Sequence, residues 1–364
     1  MDATITSIDT IGLRIPFDIW APPPMSHGAP RTHIESLYVR VETNCGIIGW
    51  GEAFGSARSM VVAAFDIRLK RLAIGQSATD TSLVPRLERM LLSLGRAGPV
   101  MHALSGLDIA LWDIRGKLEG VSVSTLLGGQ KRTEIACYAS LMQYYGNAEH
   151  LKRNTARALE RGFKEIKLHE RTADAVAIAR AAIGTDVPLM VDTNCAWTAA
   201  EAPSMLAAMA QFDPLWVEEP LYPPEDFETL ARLRQASGVP LAMGENATSM
   251  SDYRRMVATG AADYVQPAIV KMGGITALAK IAAEVETAGA TCVPNVFYLG
   301  PGYLAALHCL AVKEKQSPLE RMFADLGATP YAKSVPIIDG KVEVPRSPGL
   351  GADPEEELIQ QFKA

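Results

Sequence analysis

The sequence predicts an α/β protein, a (β/α)₈ barrel joined to a smaller α+β domain. Three observations carry this. From about residue 133 an apolar run, a polar loop and an alanine-rich stretch repeat eight times, and the last residues of the runs step by about 22 to 30 positions, one strand–helix unit each. Three consecutive runs end on acids, Asp192 in VPLMVDTN, Glu218 in PLWVEEP and Glu245 in VPLAMGEN, at spacings of 26 and 27 residues. The length, 364 residues, holds a barrel of about 250 residues and a second domain.

The elements follow in order. Residues 1–60 read as strands: ITSIDTIGLRI alternates, and IESLYVRVET pairs with IIGWGEAF through the turn at Asn44-Cys45-Gly46. Between them WAPPPMSHGAPR (Trp20–Arg31) is too broken by Pro and Gly for an element. Such a loop is usually a mere connector, and one this long that carries Trp20 and His27 reads alternatively as a lid over a site. Residues 60–127 read as helices, with HALSGLDIALWDIRGKLEG at helical spacing. The barrel strands are expected in EIACYAS, FKEIKLH, VPLMVD, PLWVEE, PLAMGE, DYVQP, TCVPN and PLERMF. SVPIIDGKVEV then reads as a hairpin around Asp339-Gly340, and Asp353-Pro354 opens a short acidic helix. The expected division is 1–128 for the N-terminal domain, 129–326 for the barrel, and 327–364 for a tail that returns to the N-terminal domain.

Composition excludes several classes. A hydrophobic content of 48% and a charged content of 21% are those of a globular protein. A net charge of −6 opposes a nucleic-acid groove or an anionic membrane surface. No apolar run approaches the roughly 20 residues of a membrane span, and no secretory signal is visible. The five scattered cysteines, without a CxxC pair, read as reduced thiols. A cytoplasmic location is expected.

In a barrel the C-terminal strand ends converge on one mouth, so residues there share a site. The second strand contributes Lys167 and His169, alternate residues on one side. The third adds Asp192 and Asn194, the fourth Glu218 and Glu219, the fifth Glu245 and Asn246. The sixth ends in Gln266-Pro267-Ala268 before Lys271 and Gly273-Gly274, the seventh in Asn295, and the eighth holds Glu320. Any one strand-end acid is most simply a loop cap, and Lys167 alone would be a solvated lysine. It is their common phase that makes a site. Three converging carboxylates repel unless a hard divalent cation, Mg²⁺ first, lies between them. Beside a Lys and a His, such a centre suits removal of a proton alpha to a carboxylate, because the ion and the ammonium stabilise the ene-diolate where its charge develops. Glu219 and Glu320 read as hydrogen-bond partners, and Gly273-Gly274 as a tight turn.

These motifs resemble the mandelate racemase and muconate-lactonizing branch of the enolase superfamily. The likeness runs almost end to end, through TNCGIIGWGE, LSGLDIALWDIRGKLEGVSVSTLLGG, GFKEIKLH, VDTN, WVEEP, GEN and KMGGIT. It implies a modified (β/α)₈ TIM barrel under an α+β capping domain, with Mg²⁺ on Asp192, Glu218 and Glu245. The family's Lys-X-Lys matches Lys167-Leu168-His169, which gives Lys167 the substrate carboxylate and His169 the place of the base. Asn194 matches a substrate contact, and Glu320 an acid hydrogen-bonded to the reacting carboxylate. Lys271 matches a lysine or arginine that is not the base. A homo-oligomer and a small carboxylate substrate are also implied.

The pattern breaks on the opposite face. Mandelate-racemase-like members place an Asp on the sixth strand and a His on the seventh, and here those positions are Ala268 and Asn295. A lysine is absent from the sixth-strand position too. Chemistry with one base therefore fits better than two-base racemisation: His169 takes the alpha proton and a beta hydroxyl leaves. Mouth residues such as Asn194, Asn246 and Asn295 suit a polyhydroxylated acid, with Tyr138, Tyr144, Tyr298 or Tyr303 as candidate second acids. The expected function is an acid-sugar dehydratase. The alternatives are an epimerase or lactone cycloisomerase of the same family, a Schiff-base aldolase on Lys167, and a barrel that only binds an acid. Substrate contacts are expected from Asn194, Asn295, Glu320, Lys271 and His27, and specificity from the loops Trp20–Arg31 and Gly51–Ser59. A nearby cation, Mg²⁺ or Lys167, is expected to lower the His169 pKa.

Overall fold

The computed structural model describes residues 3–26 and 28–364, apart from the side chain of Ala332. His27 lies outside the described residues. The chain begins with β1 (Ile5–Pro16), β2 (Met25–Ser26), β3 (Ala29–Pro30), β4 (His33–Thr43) and β5 (Ile48–Ala53). β1, β4 and β5 form an antiparallel sheet in the order β1-β4-β5. β2 and β3 pair with each other inside the segment expected to be irregular, because Arg31 N–H reaches Pro24 O and closes a small hairpin. The helix Pro99–Glu119 crosses the sheet at close range. Gly51 makes that approach workable, since a Cβ there would meet Gly106 O at 1.9 Å. Leu37, Val39 and Val41 from the sheet, with Leu104, Leu107 and Leu111 from the helix, belong to a core of their own.

Eight parallel strands follow where the eight apolar runs stand: β6 (Glu134–Leu141), β7 (Ile166–Leu168), β8 (Leu189–Asp192), β9 (Trp216–Glu218), β10 (Leu241–Met243), β11 (Tyr264–Val265), β12 (Thr291–Cys292) and β13 (Leu319–Phe323). They pair in the order β12-β11-β10-β9-β8-β7-β6-β13, with helices between them. The two ends of this path are linked through a side chain: Val296 N–H donates to Glu320 Oε2 at 3.0 Å, joining the segment after β12 to β13.

Alternation along the strands decides what the barrel contains. Ile166, Leu168, Leu189, Val191 and Val217 pack outward in the main core. Tyr138, Met190, Trp216, Ala242 and Val293 fill a separate interior cluster, where the Tyr138 and Trp216 rings meet edge-on at 5.9 Å. The residues two further along β8 and β9, Asp192 and Glu218, lie on this inner side above the plug.

The tail ties the parts together. β14 (Lys341–Glu343) pairs antiparallel with Glu134–Ala136 of β6 after a turn in which Asp339 and Gly340 have φ of 49° and 73°. Both central residues of that hairpin turn are left-handed. The helix Glu356–Phe362 follows, Ala364 N–H donates to Gly12 O at 2.9 Å, and Leu350 N–H donates to Asp113 of the long helix at 2.8 Å. The five cysteines are all free thiols, and no helix among the described residues is long and apolar enough to cross a membrane.

Candidate active site

β7 carries Lys167 inward, and His169 follows on the same side. Asp192 ends β8 and Glu218 ends β9. Glu245 lies two residues beyond β10, after Gly244, whose φ of 127° is a turn that favours glycine. One carboxylate oxygen from each of Asp192, Glu218 and Glu245 falls within 4.8 Å of the others.

Lys167 is fully buried at the centre of these acids. Its Nζ lies 2.8 Å from Glu218 Oε1, 2.8 Å from Glu320 Oε1 and 3.7 Å from Asp192 Oδ2. Burial opposes its charge, but Glu218 and Glu320 outweigh that and raise the ammonium well above its usual pKa. The other Glu218 oxygen accepts from Gln266 Nε2 (2.7 Å) and Trp216 Nε1 (3.0 Å), so the interior plug aims the carboxylate. Burial nevertheless pushes the Glu218 carboxyl well above the usual range, and Asp192, Glu320 and Glu245 add to this against the pull of Lys167. Glu320 behaves oppositely: burial would raise it, yet Lys167, Val296 N–H and Ser140 hold it below its ordinary value. Glu219, with φ of 44°, turns away to accept from Gly244 N–H at 2.9 Å. Burial first and Glu245 second push its carboxyl up to about 7.

His169 has a defined tautomer. Its Nδ1 donates to Leu141 O at 2.5 Å, which leaves Nε2, 3.3 Å from Asp192 Oδ2, as the nitrogen that accepts or releases a proton. Burial and Lys167 lower its pKa, in line with the sequence expectation for a nearby cation. Asp192 outweighs them, and the imidazole ends above its ordinary value. Of the two cations expected to lower it, Lys167 does pull downward and is outweighed, because the acid is in direct contact and the ammonium is not.

The donor set fits a hard divalent cation. Three carboxylates converge within a few ångströms, burial and then their mutual repulsion raise Glu218 and Glu245, and among the described residues Lys167 is the one cation paired with Glu218. An ion with oxygen preference relieves that repulsion, and all three donors are oxygens.

Above the acids lies a cavity of about 720 Å³ between barrel mouth and N-terminal domain. His169, Asn194, Glu245, Lys271 and Asn295 line it; Lys167, Asp192, Glu218 and Glu320 sit beneath its floor. Asn295 Nδ2 donates to Glu245 Oε2 (2.8 Å) and Glu320 Oε2 (3.2 Å), and Asn194 N–H donates to Asp192 Oδ1 (2.8 Å). Ala268 and Asn295 form a bridge, so the positions without a titratable side chain stand together on one wall. Of the four tyrosines considered as acids, Tyr298 reaches the cavity, with its hydroxyl donating to Asn295 O at 3.0 Å. Lys271 donates to Glu245 O at 3.2 Å and lies 4.6 Å from the centre of the Phe54 ring.

Three contributors were not singled out in the sequence, although Arg31 and Glu52 lie in the loops Trp20–Arg31 and Gly51–Ser59 from which specificity is expected. Arg31 and Phe297 line the cavity. Glu52, buried in β5, accepts from Gly302 N–H at 3.0 Å at the start of the helix Pro301–Ala311 and fastens the sheet to the barrel. A buried acid inside an apolar strand run was the available signal for Glu52. Phe297 gave none, and Arg31 only its place at the end of the loop Trp20–Arg31.

The lid is held from below. Trp20, with φ of 57°, packs on Phe323 at 5.3 Å, and the guanidinium carbons of Arg157 and Arg161 lie 4.4 and 4.6 Å from its ring centre. Arg153 donates to Trp20 O, and Met25 N–H donates to the Tyr145 hydroxyl at 2.6 Å.

Comparison with known proteins agrees with this geometry. Residues 11–128 match the mandelate racemase / muconate lactonizing enzyme N-terminal domain, and residues 150–358 match the enolase C-terminal domain-like family. The chain is similar to the D-galactarolactone cycloisomerase of Agrobacterium fabrum, 33% identical over 354 residues and covering 92% of each chain. It is also similar to the D-galactonate dehydratase of Ralstonia pickettii, 32% identical over 357 residues, with 89% of this chain and 90% of the relative covered. Among solved structures, a racemase from Streptomyces coelicolor with bound magnesium superposes with a TM-score of 0.88 at 27% identity, covering 99% of this chain and 100% of the other.

Proposed function

Because the chain belongs to the mandelate racemase / muconate lactonizing enzyme family, we propose that it removes the proton alpha to the carboxylate of a sugar acid or its lactone, and that the main outcome is loss of water from a sugar acid. One observation carries this reading. His169 lines the cavity with Nδ1 committed to Leu141 O and Nε2 3.3 Å from Asp192 Oδ2, while among the described residues the facing bridge positions, Ala268 and Asn295, carry neither an imidazole nor a carboxylate for a second proton transfer.

The residues take the following parts. Asp192, Glu218 and Glu245 would hold Mg²⁺, which would supply Lewis-acid stabilisation to a substrate carboxylate gaining charge. Lys167 adds a fixed positive charge on the same side, at a position pinned by Glu218 and Glu320. His169 Nε2 takes the alpha proton, and the C–H electron pair moves into the carboxylate to give an ene-diolate on the substrate. That pair then returns to form the alpha–beta double bond as the beta hydroxyl leaves with a proton from the imidazolium. Water and an enol result, and the enol tautomerises to a 2-keto acid. Leu141 O keeps the ring oriented throughout. Asn194 and Asn295 offer amides to substrate hydroxyls. The name of the Agrobacterium relative favours a second reading, lactone cycloisomerisation, in which the same proton is taken and ring oxygen is the leaving or entering group. With the activity we propose the division 1–128, 129–326 and 327–364 into cap, barrel and returning tail, and a cytoplasmic site of action.

The test is a panel of sugar acids and lactones with Mg²⁺ in D₂O, read by keto-acid formation and by deuterium at the alpha carbon. His169→Asn should lose turnover on the order of a thousandfold. Near-normal alpha exchange in that variant would place the base elsewhere, and activity that survives a chelator would remove the metal from the reading.

A further inference from the structure

The upper wall of the cavity holds a cation that proton abstraction does not use. Arg31 follows β3 in the lid and lines the cavity. Its guanidinium carbon lies 5.1 Å from the centre of the Phe297 ring, and that ring meets the His169 imidazole edge-on at 6.0 Å. Base, aromatic spacer and guanidinium thus form one ladder up a single wall, away from the carboxylate cluster.

Among the described residues no acid makes an ion pair with Arg31. Its acidic neighbour Glu35 is exposed and lies 3.8 Å from Arg14 instead. Burial outweighs the pull of Glu35 and lowers the Arg31 pKa, so the fold carries this charge at a cost. Lys271 and Arg14, which also line the cavity, differ: the Lys271 ammonium already donates to Glu245 O, and Arg14 lies 3.8 Å from Glu35. Arg31 offers a planar fork of donors that matches a carboxylate in shape and charge.

Resting on the proposed reaction, we propose that Arg31 binds a second carboxylate at the far end of the substrate, which makes the substrate class sugar diacids (aldarates) and their lactones. One carboxylate lies at the Lys167 and acid-cluster end, the hydroxylated chain runs past His169 and Phe297, and the distal carboxylate meets the guanidinium. The cavity volume of about 720 Å³ leaves room for a chain of hexose size. An aldonate ends in a neutral alcohol, which accepts a hydrogen bond and leaves the arginine charge uncompensated.

The experiment uses the full chain with Mg²⁺ and matched pairs, each hexarate beside the hexonate of the same configuration. kcat/KM is read by keto-acid formation and affinity by calorimetry, for wild type, Arg31→Met and Arg31→Lys. Wild type should prefer the diacids. Arg31→Met should lose on the order of a hundredfold in kcat/KM on diacids, mainly through KM, and at least about tenfold less on monoacids. Arg31→Lys should fall between, since it keeps the charge and loses the fork. A wild-type preference for aldonates, or equal losses on both classes, overturns the distal carboxylate site and leaves proton abstraction standing. Arg31-dependent diacid binding without turnover or exchange of any acid supports the site and overturns the catalytic reading. Absence of both diacid binding and diacid turnover overturns the inference.

Discussion

Lowering the pH should destabilise the protein through one buried histidine, by an amount the structure sets. His308 stands in the helix Pro301–Ala311 with no exposed surface. Its Nδ1 accepts from Ser124 N–H at 3.3 Å, and its Nε2 donates to Leu350 O at 3.2 Å. Those partners require the neutral ring with its proton on Nε2, because a second proton on Nδ1 would face another N–H. Burial pushes the pKa down to about 4 from 6.5, and the Leu350 carbonyl opposes this only in part. The unfolded chain therefore binds a proton that the folded one refuses. Stability from this source is fully present above pH 6.5 and is lost as pH falls toward 4. At about 1.4 kcal/mol per pH unit, the loss reaches about 3 kcal/mol by the lower limit. His308→Gln is the matched control, since its amide oxygen can accept from Ser124 and its amide nitrogen can donate to Leu350 without titrating. Urea unfolding of both proteins, in chelator, across this range gives the difference in stability, from which other titrating groups cancel. The wild type should lose about 3 kcal/mol relative to the variant. A difference that stays constant with pH refutes the argument.

Two further outcomes follow from the site and its lid. Glu218→Gln should weaken Mg²⁺ binding by at least about 100-fold in calorimetry with little change in the folded far-UV spectrum, because one oxygen donor loses its charge; unchanged affinity would place the ion elsewhere. Trp20→Ala removes two stacked arginines, each contributing about 0.5–1 kcal/mol, so the lid should open more often. KM should rise roughly tenfold with kcat nearly kept, and the segment around Trp20 should be cut faster by protease. An unchanged KM and cleavage rate would mean that the Arg153 bond to Trp20 O and the Met25 N–H bond to Tyr145 hold the lid without the ring.

What the sequence disclosed and what it withheld divide along locality. All eight barrel strands were legible because apolar runs and the strand–helix repeat are written within a few dozen residues. Strand ends in that repeat placed Asp192, Glu218 and Glu245 at one mouth, and alternation put Lys167 and His169 on one side, before any packing was known. Glu245 was legible as an acid in phase, although its carboxylate returns to the cluster only after the Gly244 turn. The balance at His169 was not legible because it depends on two competing distances: Asp192 is 3.3 Å away, while Lys167 is committed to Glu218 and Glu320. No spacing rule ranks an acid on one strand against a lysine on the next. Arg31 and Phe297 are 266 residues apart in sequence and meet only because the N-terminal sheet carries its lid across the barrel mouth. The same separation explains the lid's anchor, where Trp20 finds arginines more than 130 residues downstream. In this fold the reacting centre is assembled by strands that repeat, so its residues announce themselves by period. The cavity's upper wall is assembled by loops from distant parts of the chain, so the sequence names the loop Trp20–Arg31 but not the residues it meets until the chain is folded.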